Sequence, residues 1–138
     1  MRIERITEIA PILECIPFEQ EIRNKGRDHT RISKMILFVK DLLPSPMFGF
    51  WIAYDEDRVI GYMIAMISLI PSMERLILWR MWAKEKEVRK QFEDILRTWA
   101  KEYKIKTASM VAYGDSMAKG LERLYGWKQV SINLERRI

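Results

Sequence analysis

Cationic side chains gather where an apolar stretch gives way to an amphipathic one, in "WRMWAKEKEVRKQF" over residues 79–92. Lys84, Lys86, Arg89 and Lys90 stand where a strand should end and a helix begin. The first amide N–H groups of a helix lack intrahelical partners and together carry about half a positive charge. The chemistry on offer is therefore the binding of a phosphate by main-chain donors around Val88, with side-chain cations adding charge. Two features oppose it. The stretch has no glycine, so side chains stand where a phosphate would approach the backbone. Glu85 and Glu87 also complement the helix dipole by themselves.

Other chemistries find less to work with. The single cysteine, Cys15, excludes an internal disulfide, and with a single histidine, His29, a Cys/His metal site is not expected. Neither residue has a third orienting partner at a recognisable spacing, so a nucleophilic pair is not expected. The net charge of +5 suits an anionic partner. The basic residues are nevertheless interleaved with acids, zinc-finger spacing is absent, and "VSINLERR" is no aromatic-rich RNA-binding strand. Nucleic acid is therefore not the expected partner. The N-terminal "MRIERITEIA" is too charged for a secretory signal. The longest apolar run, residues 59–70, falls short of the ~20 residues that span a bilayer. A soluble, cytoplasmic protein without a membrane partner is the expectation.

The elements that must position the junction can be read from periodicity. The 138 residues suit one domain covering 1–138, with 49% hydrophobic and 31% charged residues. Residues 2–5 read as a short strand, and Thr7 as the cap of a helix through about Cys15, with Pro11 early enough to be tolerated. Asp28 or Thr30 starts a second helix, striped by Ile32, Met35, Ile36, Val39, Leu42 and Leu43 and ended by Pro44. "GFWIAY" and "RVIGYMIAMIS" flank a turn at "DED", and the second arm is apolar on both faces, as a central strand should be. A strand follows at 75–82. The next helix aligns Val88, Phe92, Ile95, Leu96, Trp99 and Tyr103 on one stripe. Residues 107–113 read as a strand, Asp115 or Ser116 as the cap of a helix to about Leu124, and "WKQVSINLER" alternates as a last strand. The order β-α-α-β-β-β-α-β-α-β implies an α/β (α+β) fold, a mixed central β-sheet with helices on both faces.

This order, with three local matches, resembles the GNAT superfamily of acyl-CoA-dependent N-acyltransferases. "WIAYDEDRVIGYMIA" looks like that family's second and third strands, with Gly61 where a glycine often follows the apolar pair. "LRTWAKEYKIKTASMVA" looks like the end of its core helix and its fifth strand. "DSMAKGLERLYGWKQV" is similar to its last helix and strand, with Asp115, Ala118, Leu121 and Gly126–Trp127 in register. The likeness covers residues 48–138, and the first third agrees only in having two helices. Glycine-poor GNAT-like chains of this size are also encoded by phages.

The resemblance implies transfer of an acyl group, acetyl by expectation, from acetyl-CoA to an amine acceptor. Trp79 or Met81 would supply the backbone N–H that polarises the thioester, and Lys84, Lys86, Val88, Arg89 and Lys90 would hold the pyrophosphate. The family's phosphate loop falls on "KEKEVR", where only the opening cation is kept. Glu74 matches a glutamate that some members use as base. The tyrosine that protonates the leaving thiolate falls at Glu122, with Tyr125 three residues on and Tyr113 as a further candidate. Asp115 reads as a helix cap or a pantetheine contact. Trp79 and Trp82 lie beside the expected acceptor cleft. The rival expectation is a scaffold module that keeps the fold without the cofactor. The apolar "VSINL" suits pairing with a second copy as a homodimer.

Overall fold

The computed structural model describes residues 1–25 and 31–110. In chain order these form β1 (Arg2–Arg5), α1 (Ile9–Ile12), a 3-10 turn (Leu13–Cys15), α2 (Ile16–Lys25), α3 (Ile32–Leu42), β2 (Phe48–Asp55), β3 (Arg58–Ser68), β4 (Arg75–Ala83), α4 (Lys86–Glu102) and β5 (Ala108–Met110). The strands make one 5-stranded sheet in the order β1-β2-β3-β4-β5. The first three pairings are antiparallel, and β4 and β5 run parallel across the α4 crossover. This is the mixed sheet that the strand–helix–strand pattern implied.

β3 is buried without interruption from Ile60 to Ala65, because both faces of the sheet are covered. On one face Val88, Phe92, Leu96 and Trp99 of α4 pack on Trp51, Ala53, Met63, Ala65, Leu76 and Leu78. Each Val, Leu, Phe or Met side chain so buried contributes about 1.5–3 kcal/mol. On the other face Ile12, Cys15, Met35 and Val39 from α1, the 3-10 turn and α3 cover Phe48, Phe50, Ile52, Tyr62 and Ile64. Helices thus lie on both faces.

Three boundaries differ from the sequence reading. The first helix is capped by Glu8 in extended conformation, without a side-chain cap bond, rather than by Thr7. It does not end near Cys15 but passes through the 3-10 turn into the 10-residue helix α2. The backbone of Arg31 forms the N-cap of α3, and the expected caps Asp28 and Thr30 lie outside the described residues. The expected strand at 107–113 is described at Ala108–Met110. The expected last helix and last strand fall outside the described residues.

Candidate active site

The cationic junction forms as expected. β4 ends at Ala83, Lys84 N–H donates to Ile60 O at 2.9 Å, and α4 opens at Lys86. Glu85 is the N-cap, with extended backbone and no side-chain cap bond. The first intrahelical contact is a long one, Arg89 N–H to Glu85 O at 3.4 Å. The amides of Lys86, Glu87 and Val88 thus precede the helical ladder and belong to the group a phosphate could use. Lys84, Lys86 and Lys90 are exposed around them, and Arg89 is half-buried.

Glu87 and Arg89 stand where the family's loop has small residues, and Val88 lies between them; the contacts of Val88 and Glu87 run away from the helix start. Val88 is fully buried in the sheet-facing core. It fits because Gly61 of β3 lies beneath it: a Cβ on Gly61 would sit 2.8 Å from Val88 Cγ1 and 2.9 Å from Trp82 O. The Glu87 carboxylate accepts from Gln91 Nε2 at 3.3 Å, one turn along the helix.

β4 carries a one-residue bulge. Ile64 is in register with Arg80 and Ala65 with Leu78, which makes Trp79 the extra residue. Leu76 and Leu78 face α4 before the bulge, and Met81 and Ala83 do so after it. Trp79 and Trp82 therefore lie on the α1–α3 face. There Trp79 meets Phe38 edge-on at 5.6 Å and Trp82 stacks on Phe18 at 4.3 Å.

Trp79, Met81, Lys84, Lys86, Val88, Arg89 and Lys90 are thus brought together on the bulged half of β4 and the first turn of α4. Glu74 is not. It is exposed in the loop before β4, five residues ahead of Trp79, a span of about 16 Å for extended chain. Tyr113, Asp115, Glu122 and Tyr125 lie outside the described residues.

Sequence reading missed a buried polar cluster against the bulge. Arg80 projects to the α2 side and grips Glu19, with Nη2 to Oε1 at 2.7 Å and Nε to Oε1 at 3.0 Å. The Tyr62 hydroxyl donates to Glu19 Oε2. Glu19 is 0% exposed and Arg80 6%. Burial, then the Glu19 charge and hydrogen bond, push the Tyr62 hydroxyl pKa up. Cys15 lies close by, its thiol pushed up to about 12 by burial and by the charges of Glu14 and Glu19. The signal was present in the sequence. Glu19 interrupts an apolar helical stripe of Ile12, Cys15 and Ile22, and Arg80 interrupts an apolar strand. Two charges at core positions call for each other.

Two hollows, of about 350 and 250 Å3, open on the α4 side of the sheet. The first has Trp51 and Trp99 as its floor, with the Arg5 guanidinium over both rings. Neither includes a residue of the first turn of α4. The cationic corner at the strand end and helix start thus lies apart from these hollows.

This mixed sheet with helices on both faces is the fold of GNAT acetyltransferases. Solved structures match it over nearly the whole chain. A predicted acetyltransferase from Clostridium acetobutylicum, solved with acetyl-CoA, has a TM-score of 0.76 at 17% identity, covering 99% of this chain and 95% of its own. An apo aminoglycoside 6'-N-acetyltransferase from Acinetobacter haemolyticus also has a TM-score of 0.76 at 17% identity, covering 100% and 99%. A ribosomal-protein-alanine N-acetyltransferase from Brucella melitensis has a TM-score of 0.68 at 13% identity, covering 99% and 98%. No protein-family model matches the sequence, and no curated protein matches it significantly.

Proposed function

We propose that this chain, as a single cytoplasmic domain spanning residues 1–138, is an N-acetyltransferase that moves an acetyl group from acetyl-CoA to an amine acceptor. The observation that carries the reading is the start of α4. Its first-turn amides have no side-chain cap, Val88 is folded into the core and Glu87 is drawn toward Gln91. The pyrophosphate would accept hydrogen bonds from the amides of Lys86, Glu87 and Val88. Lys84, Lys86, Arg89 and Lys90 would add charge at longer range. Among the structural neighbours, an aminoglycoside acetyltransferase is solved with CoA and again with a bisubstrate analogue joining CoA to an acetylated aminoglycoside.

In this reading the amine nitrogen attacks the thioester carbonyl carbon and negative charge builds on the carbonyl oxygen. A main-chain N–H at Trp79 or Met81 stabilises that charge. The C–N bond forms, the C–S bond breaks, the nitrogen gives up a proton and the departing thiolate gains one. Glu74, the base the resemblance implies, stands in the loop before β4, farther from Trp79 than the direct or one-water reach a general base needs, so it serves only if the amine is seated toward that loop. Tyr125, or Glu122 in its place, returns a proton to sulfur, and Asp115 contacts the pantetheine arm. Trp79 and Trp82 flank the acceptor, and "VSINL" near the C-terminus pairs two copies.

Calorimetric titration with acetyl-CoA and CoA tests the reading, followed by thiol release with a panel of amines. Saturable heat and amine-dependent thiol release are expected. No heat at millimolar ligand would leave a fold kept as a scaffold.

A further inference from the structure

The bulge at Trp79 and the charge at Arg80 belong together. Without the extra residue, strict alternation would carry position 80 onto the same side as Leu76 and Leu78, among Val88 and Phe92. A guanidinium there would be buried without a counter-charge, a severe penalty. In the bulged register the same side chain meets Glu19, Nη2 to Oε1 at 2.7 Å, while Tyr62 donates to the other carboxylate oxygen. Two apolar residues of similar volume would fill the space of the ion pair at little cost beyond the lost Tyr62 hydrogen bond. They would not distinguish one register from the other, and the ion pair does.

We propose that Arg80 and Glu19, with Tyr62 on the same carboxylate, are positioning residues that hold β4 in its bulged register and so aim the main-chain N–H groups at Trp79 and Met81. Their effect on turnover rests on the acetyl-transfer reading; their effect on register does not. A single replacement breaks the buried pair and confounds register with stability, so the informative protein is the double variant Arg80→Met with Glu19→Met. It is expected to unfold cooperatively on heating and to keep the acetyl-CoA KM within about twofold, while kcat falls by about tenfold or more. Amide exchange at Trp79 and Met81 should quicken, with a second set of amide signals for β4. Arg80→Lys, which keeps the charge but not the two-pronged grip, should fall between parent and double variant. A double variant with unchanged kcat and a single, unshifted set of β4 amide signals overturns the proposal. A parent protein without turnover counts against acetyl transfer alone, and the amide signals still decide the register.

Discussion

Glu19, Arg80 and Cys15 carry the sharpest expectations at the scale of single residues. Replacing Glu19 or Arg80 alone with leucine leaves the other charge buried and should cost about 3–5 kcal/mol in urea denaturation. Tyr62→Phe removes one hydrogen bond to a carboxylate and should cost about 1.5–3 kcal/mol. Cys15 gives a pH dependence. Its thiol stays protonated in the fold to about 12, whereas the unfolded chain loses that proton near 9.0. Above that lower value the unfolded chain binds fewer protons, so stability falls as pH rises, by at most about 1.4 kcal/mol per unit for this group. Tyr62 and Tyr54, both raised by burial first, act in the same direction at higher pH. Cys15→Ala should flatten the fall in denaturation midpoint above pH 9.0, and an equal slope in both proteins would refute the assignment.

Among the elements, α4 joins a stability question to a binding question. Glu87 lies in its first turn, where an acid favours the helix and opposes a bound phosphate. Glu87→Gln should therefore tighten acetyl-CoA by about 2–5-fold while lowering stability by about 0.3–1 kcal/mol, read by calorimetry and thermal unfolding. Tightening without the loss, or the reverse, would mean that dipole and ligand do not compete there. The elements most legible in the sequence were those with one unbroken pattern. β3 is apolar on both faces, β2 precedes it across a short turn, and α4 carries a wide apolar stripe. α2 was not legible, because Glu19 occupies a core position in its stripe and reads as a surface residue until Arg80 is seen opposite. The β4 bulge was not legible either. An extra residue in an apolar strand leaves no mark on composition, only on which neighbours share a face.

For the whole molecule, the net charge of +5 and the cations around the α4 start make salt dependence the discriminating measurement. Replacing Lys84 and Lys86 together with alanine should weaken acetyl-CoA by about 3–10-fold at low salt and by less at high salt, since exposed charges are screened within about 10 Å. Duplex DNA should show no steep fall of affinity with log salt. A slope worth several phosphates would reassign these cations to nucleic acid. The strand end, helix start and cations of 79–92 were legible because they are local features. The acid and base were not. Glu74, Glu122 and Tyr125 came from likeness to a family, since no local physics of the sequence says which distant segments meet at a reacting atom. Among the described residues no helix is long and apolar enough to cross a membrane.

Gly61 has one more consequence. Because its bare Cα admits Val88 and the Trp82 carbonyl to within contact, the start of α4 rests directly on the back of β3. A single methyl group inserted there, Gly61→Ala, would act as a shim, levering the helix end outward against a rigid carbonyl at a cost of about 1–3 kcal/mol. On the acetyl-transfer reading, the first-turn amides of α4 would then shift with none of their own side chains changed.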